Sequence, residues 1–159
     1  MSILHEIWVE FAILPAISRI FQNKKALWAR GDEKRSERNE HRYGSGKIML
    51  ACQNETYIDD YCAWMAEHAG HLTEKTVVDP ERFREELAQA RLRGYAMDNG
   101  EIEEGLICVG APIYDMNRRT VAAVSVAGPD YRMREDQDVM IREVRRTAGN
   151  ISRLLGYRE

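Results

Sequence analysis

Apolar positions along the first 21 residues, Leu4, Ile7, Trp8, Phe11, Leu14, Ile17, Ile20 and Phe21, are spaced by three and four with an interruption at Pro15. That is the period of a helix face, so one or two helices are expected there. From Asn23 to Arg42 the pattern disappears: Lys24, Lys25, Arg30, Lys34, Arg35, Arg38 and Arg42 interleave with Asp32, Glu33, Glu37 and Glu40. Mixed charge with almost no apolar residues after Trp28 reads as a solvated segment, with a nucleic-acid-binding arm as the sharper alternative. The turn Tyr43-Gly44-Ser45-Gly46 then opens a helix running from near Lys47 through Ile48, Met49, Leu50 and Ala51. Ile58, Tyr61, Cys62, Met65 and Ala69 mark one face of a second helix that stops around Gly70.

Asp79-Pro80 is a helix start, with Asp as N-cap and Pro at the first helical position. Phe83, Leu87 and Ala90 lie on one face of that helix and Gly94 stops it. Beyond it the period changes. Leu106–Tyr114 and Thr120–Gly128 are rich in β-branched and small apolar residues and flank the turn-like Asp115-Met116-Asn117-Arg118, so they predict an antiparallel hairpin. Past Pro129, Met140, Val144, Ala148, Ile151 and Leu155 predict a long amphipathic helix ending at Gly156.

The hairpin's two faces differ in chemistry. Ile107, Val109, Ala111 and Ile113 point one way with Ala122, Val124 and Val126, while Cys108 and Gly110 share the other face with Ala123, Ser125 and Ala127. An even loop sets Cys108 opposite Ser125 and Gly110 opposite Ala123. A face of small residues with two weakly polar groups leaves room for a ligand; it equally admits a helix packed closely upon it. The YGSG turn offers a second wall, because amides at a helix start lack intrahelical acceptors and sit at the positive end of the dipole. Gly44, Ser45 and Gly46 suit a carboxylate or phosphate there, a plain helix start being the alternative. A nucleotide P-loop is excluded: His41 stands where its first Gly belongs and Ile48 where Ser or Thr belongs.

Composition narrows the classes. At 159 residues with 44% apolar content, one domain with a proper core is expected. A net charge of -3 argues against an autonomous nucleic-acid binder. Three cysteines, at 52, 62 and 108, with no CxxC and no secretory leader predict a reducing, cytoplasmic setting. The longest apolar run, Ile7–Ile17, holds Glu10 and Pro15 and is too short to span a bilayer.

Three further constellations are weighed. The acidic run Asp98, Glu101, Glu103 and Glu104 reads first as a solvated loop. Cys62, His68 and His71 have zinc-type donors at short spacing but no fourth ligand, so no metal is expected. Cys108 as a nucleophile needs a base, and the four histidines, His5, His41, His68 and His71, all lie in the first half of the chain. A thiol-dependent enzyme is therefore the lesser alternative, and no cofactor is expected.

The succession GSGKIMLA, TEKTVVDPERFREELAQARLRGYAMDNGEIEEG, LICVGAPIYD, VAAVSVAGP and ISRLLGY, over about Tyr43–Arg158, resembles the C-terminal effector-binding domain of the IclR family of bacterial transcription regulators. The resemblance implies an α/β (α+β) domain with a curved antiparallel sheet flanked by helices, of GAF or profilin-like type. It implies a small carboxylate metabolite, a keto or hydroxy acid, as effector, and a homodimer or homotetramer. Operator DNA would be engaged only through a winged helix-turn-helix, which these 159 residues do not display. Carried over by position, ligand contacts fall on the backbone of Gly44 and Ser45 and on Asp98, Cys108 and Ser125. A further polar position of the family is Ala127 here. Residues 1–42 do not resemble the family's early strands and are expected to form a helical, basic segment preceding an effector domain at 43–159. The expected function is effector sensing in a chain without its own DNA-binding domain; an interaction subunit that mixes with full-length regulators is the other alternative.

Overall fold

The computed structural model describes residues 43–158 and the backbone of residues 8–13. In chain order the elements are β1 (Trp8–Ile13), α1 (Gly44–Ala51), α2 (Glu55–His68), α3 (Pro80–Arg93), β2 (Ala96–Asn99), β3 (Leu106–Tyr114), β4 (Thr120–Pro129), α4 (Asp130–Glu135) and α5 (Gln137–Leu154). The strands form one antiparallel sheet in the order β1-β4-β3-β2.

The caps form as their residues dictate. Asp79 accepts a hydrogen bond from the Arg82 amide at 2.7 Å, Pro80 opens α3, and Gly94 ends it at φ 73°. Asn54 caps α2 through the Tyr57 amide at 2.8 Å. The predicted long helix forms as α5 from Gln137, and a separate short helix, α4, precedes it and ends at Glu135. Leu155, expected on the packed face, follows the last turn of α5 and is exposed.

Helices cover both sheet faces. Ile48, Leu50, Ile58, Tyr61, Met65, Phe83 and Leu87 from α1, α2 and α3 make one core, which takes in Ala96 and Ala123 from the sheet. Ile107, Val109, Ala111, Ile113, Val124 and Val126 make the other, against Met133, Val144 and Ala148 of α4 and α5. The bulky and small faces read from the hairpin are thus real, and each has its own helical layer.

Two expectations need correction. The first is the register: Cys108 lies opposite Ala127, and Gly110, not Cys108, lies opposite Ser125. Ala123 pairs with Pro112. The cause is the turn. Asp115 Oδ1 accepts from the amides of Asn117 (2.8 Å) and Arg119 (3.0 Å), Tyr114 pairs with Thr120, and a bulge then shifts Ile113 onto Ala122. A shift of two keeps every side chain on its predicted face.

The second concerns the first segment. Trp8–Ile13 is a strand, where apolar spacing predicts a helix; it pairs with β4 from Trp8 opposite Ala127 to Ile13 opposite Ala122. Six residues rich in aromatic and branched types suit a strand as well as a helix, and pairing satisfies the backbone groups that β4 turns towards β1. The helix expected over Leu14, Ile17, Ile20 and Phe21, the charged segment Asn23–Arg42, and His5 and His41 lie outside the described residues.

At Gly110, α1 and β3 approach each other backbone to backbone. A Cβ built on Gly110 would stand 2.7 Å from the carbonyl carbon and oxygen of Gly44 and 2.8 Å from the Ser45 nitrogen, all backbone. Gly110→Ala is therefore expected to push α1 off the sheet and cost about 1–3 kcal/mol in a urea denaturation, because no flexible side chain can yield.

Candidate functional site

The start of α1 stands over the small-residue face. A Cβ on Gly44 would lie 3.1 Å from the Cys108 carbonyl oxygen, 3.2 Å from its Sγ and 3.3 Å from the Gly110 amide nitrogen. Cys108 is opposite Asp98 on β2, and Gly110 is opposite Ser125 on β4. The five positions singled out from the sequence, Gly44, Ser45, Asp98, Cys108 and Ser125, therefore converge where α1 begins. Ala127, opposite Cys108, adds only a methyl group to this end of β4.

The local chemistry has three features. Tyr43, the residue before α1, supplies no side-chain cap, so the first amides of the helix begin over the sheet without one. Ser125 is 1% exposed, and its Oγ has no hydrogen-bond partner among the described residues. A buried hydroxyl without a partner carries a desolvation cost that folding alone does not recover. Asp98, also 1% exposed, accepts the Glu101 amide at 2.7 Å. Burial pushes its carboxyl up to about 6; the nearby Glu101 adds to the rise, while that amide and Lys47 oppose it.

Sequence reasoning missed the group that holds this corner together. Lys47, the fourth residue of α1, is 0% exposed. Its Nζ donates to Glu86 Oε1 on α3 at 2.8 Å, to the Met97 carbonyl on β2 at 3.2 Å, and to Glu101 Oε1. Glu101 Oε2 accepts the Val77 amide at 3.2 Å, and its carbonyl accepts the Thr76 hydroxyl at 2.6 Å. Burial raises the Glu101 carboxyl, and Lys47 partly offsets that rise.

The acidic run is thus split: Asp98 and Glu101 are buried, while Glu103 and Glu104 are exposed as expected of a solvated loop. Two signals were available in the sequence. Lys47 interrupts the apolar run that follows it, and Glu86 falls on the Phe83–Leu87–Ala90 stripe of α3.

Other candidates are placed elsewhere. Cys62 is buried with its Sγ 3.9 Å from the Pro80 carbonyl oxygen, whereas His68 is exposed, its ring stacked on Trp64 at 5.3 Å. His71 lines a surface cleft of about 570 Å³ with Leu72, Thr73, Glu74 and Glu104. A second cleft, of about 550 Å³, is lined by Tyr95, Asp138, Ile141, Arg142, Arg145 and Arg146. Neither shares a residue with the convergent set. There, α1 rests directly on the sheet, so the close-packing alternative is the arrangement observed. Among the described residues, no helix is long and apolar enough to cross a membrane.

An antiparallel sheet with helical layers on both faces, and a helix start without a side-chain cap over its small-residue face, defines an α+β domain. The chain belongs to the IclR family: residues 36–153 match the family described as "Bacterial transcriptional regulator IclR C-terminal". The matched span begins before Tyr43, within the segment expected to stand apart. The transcriptional repressor IclR of Escherichia coli K12 is 38% identical over 97 residues, 61% of this chain and 35% of that protein. The repressor AllR of the same strain is 42% identical over 119 residues, 74% of this chain and 43% of AllR. Among solved structures, the transcriptional regulator YaiJ superposes with a TM-score of 0.70 at 30% identity, covering 74% of this chain and 65% of that one. The chain spans less than half the length of these two curated relatives, which are transcriptional regulators rather than enzymes.

Two outcomes are expected. Lys47→Met leaves Glu101 buried without its cation and should cost about 3–5 kcal/mol; adding Glu101→Gln should recover part of that loss, both read by chemical denaturation. For Asp98, the unfolded chain loses its proton near 3.8 and the folded one near 6. Between those values the folded state holds a proton that the unfolded state has lost, so stability falls as pH rises through the window and levels off above it. Asp98→Asn, which keeps the acceptor for the Glu101 amide, should therefore stabilise the fold by about 1–3 kcal/mol near pH 8. That gap should narrow as pH falls from about 6 towards about 4.

Proposed function

We propose that the domain senses a small carboxylate metabolite, a keto or hydroxy acid, held at the start of α1. The ligand's carboxylate takes the amides of Gly44 and Ser45 at the positive end of the helix dipole. Its keto or hydroxyl oxygen meets Ser125, with Cys108 and Asp98 completing the contacts. The observation that carries this reading is the Ser125 hydroxyl, buried and without a partner among the described residues, beneath an uncapped helix start. A buried hydroxyl without a partner among the described residues and a helix start without a side-chain cap lie close together, and an oxygen-rich anion would serve both.

Close packing of α1 on Gly110 supplies the mechanism of response. A ligand enters only as the helix start lifts from β3, so ligand favours a lifted arrangement over the packed one, and that difference in affinity is the signal. In a dimer or tetramer the change passes to a winged-helix reader of operator DNA outside these 159 residues. Ala127 in place of a second polar group restricts the ligand to one that needs a single hydroxyl partner on β4.

A thermal-shift panel of small keto and hydroxy acids, including pyruvate and lactate, tests the site. At least one acid should raise the melting temperature by mass action, and Ser125→Ala should abolish most of the rise while leaving the unliganded protein at least as stable. A flat panel, or a rise indifferent to Ser125→Ala, would sink the proposal.

A further inference from the structure

The corner beneath α1 carries more negative than positive charge. Glu86 and Glu101 both pair with Lys47, and Asp98 joins the same group through the Glu101 amide. One ammonium thus faces three carboxylates, of which Asp98 and Glu101 are buried.

Each element packed around Asp98 contributes a known group. Lys47 comes from α1, Glu101 from the turn after β2, Glu86 from α3 beyond Lys47, and the Cys108 thiol from β3. Lys75 lies outside the turn, its Nζ 3.6 Å from where a Cβ on Gly100 would stand. Arg134 of α4 donates to Asn99 Oδ1 at 2.8 Å and faces Asp130 at 3.7 Å. Lys47, the buried cation of this set, lowers the Asp98 carboxyl but bonds directly to Glu86 and Glu101, so an arriving organic anion meets an ionised Asp98 whose charge is offset only in part.

We infer that the anion binds with Asp98 in its neutral acid form, so that complex formation takes up one proton from solution and Asp98 donates a hydrogen bond to a ligand oxygen. This rests on the effector site proposed above. Oδ1 stays with the Glu101 amide, the Gly100 amide also favours the ionised carboxylate, and the proton goes on the carboxyl oxygen turned to the ligand. The carboxyl of the unliganded protein, with a pKa of about 6, is already close to neutral pH. A neighbouring anion raises it further.

The sign of the linkage follows. Above the carboxyl's pKa in the complex, affinity is low and level. Between that value and about 6 it rises as pH falls, by up to about tenfold per pH unit, and below about 6 it levels again.

The probe is the acid giving the largest stabilisation in the thermal-shift panel, with binding heat measured in buffers of different ionisation enthalpy from about pH 5.5 to about pH 8. Proton uptake approaching one per site at neutral pH is expected. Asp98→Asn supplies a donor that does not titrate, so it should bind the same acid with no proton uptake and with affinity independent of pH. Binding by the unaltered protein without proton uptake would overturn the linkage and leave the effector site standing. So would a folded Asp98→Asn protein that binds at no pH, since the carboxylate would then be needed as an anion. A panel in which no acid binds removes the effector site, and this inference with it.

Discussion

A fully buried lysine holds the corner of this domain where α1, α3 and the sheet meet. Lys47 can be dry only because Glu86, Glu101 and the Met97 carbonyl take its three protons, each from a different element. Isolated, a buried ammonium is among the most costly groups in a protein; matched, it fixes the elements that carry its partners. The cluster sets the height of α1 above the sheet, anchors the turn after β2 and positions the carboxyl of Asp98 through the Glu101 amide.

That anchoring explains why α1 can begin over β3 with almost no side chain between. Gly44 and Gly110 meet backbone to backbone, and Cys108, Ser125 and Ala127 keep the surrounding face shallow. The same closeness leaves the Ser125 hydroxyl buried and the first amides of α1 without a side-chain cap. Lys47 anchors the middle of α1, and the start of the helix, one turn earlier, lies over the sheet without a side-chain cap.

Much of the fold was legible because it is written in short-range patterns. Asp79-Pro80 and Gly94 delimit α3 through local hydrogen bonds and backbone preference, and the two faces of the hairpin follow from strict alternation. The five candidate positions Gly44, Ser45, Asp98, Cys108 and Ser125 were singled out through the family resemblance, since spacing alone left both a pocket and a packed helix open. Asp98 and Glu101 were not separable from Glu103 and Glu104 by composition, because burial of a carboxylate depends on which cation the fold brings to it.

The sequence by itself determined the helix ends, the hairpin, its bulky and small faces, and the family, because these depend on neighbours in the chain or on the order of short motifs. Tertiary structure decided the rest. The register of β3 on β4 depended on how the Asp115 side chain folds the turn, and Trp8–Ile13 became a strand because β4 had an edge to satisfy. Lys47 found Glu86 and Glu101 across 39 and 54 residues of chain, a pairing fixed by packing and by the cost of leaving Lys47 or Glu101 buried alone.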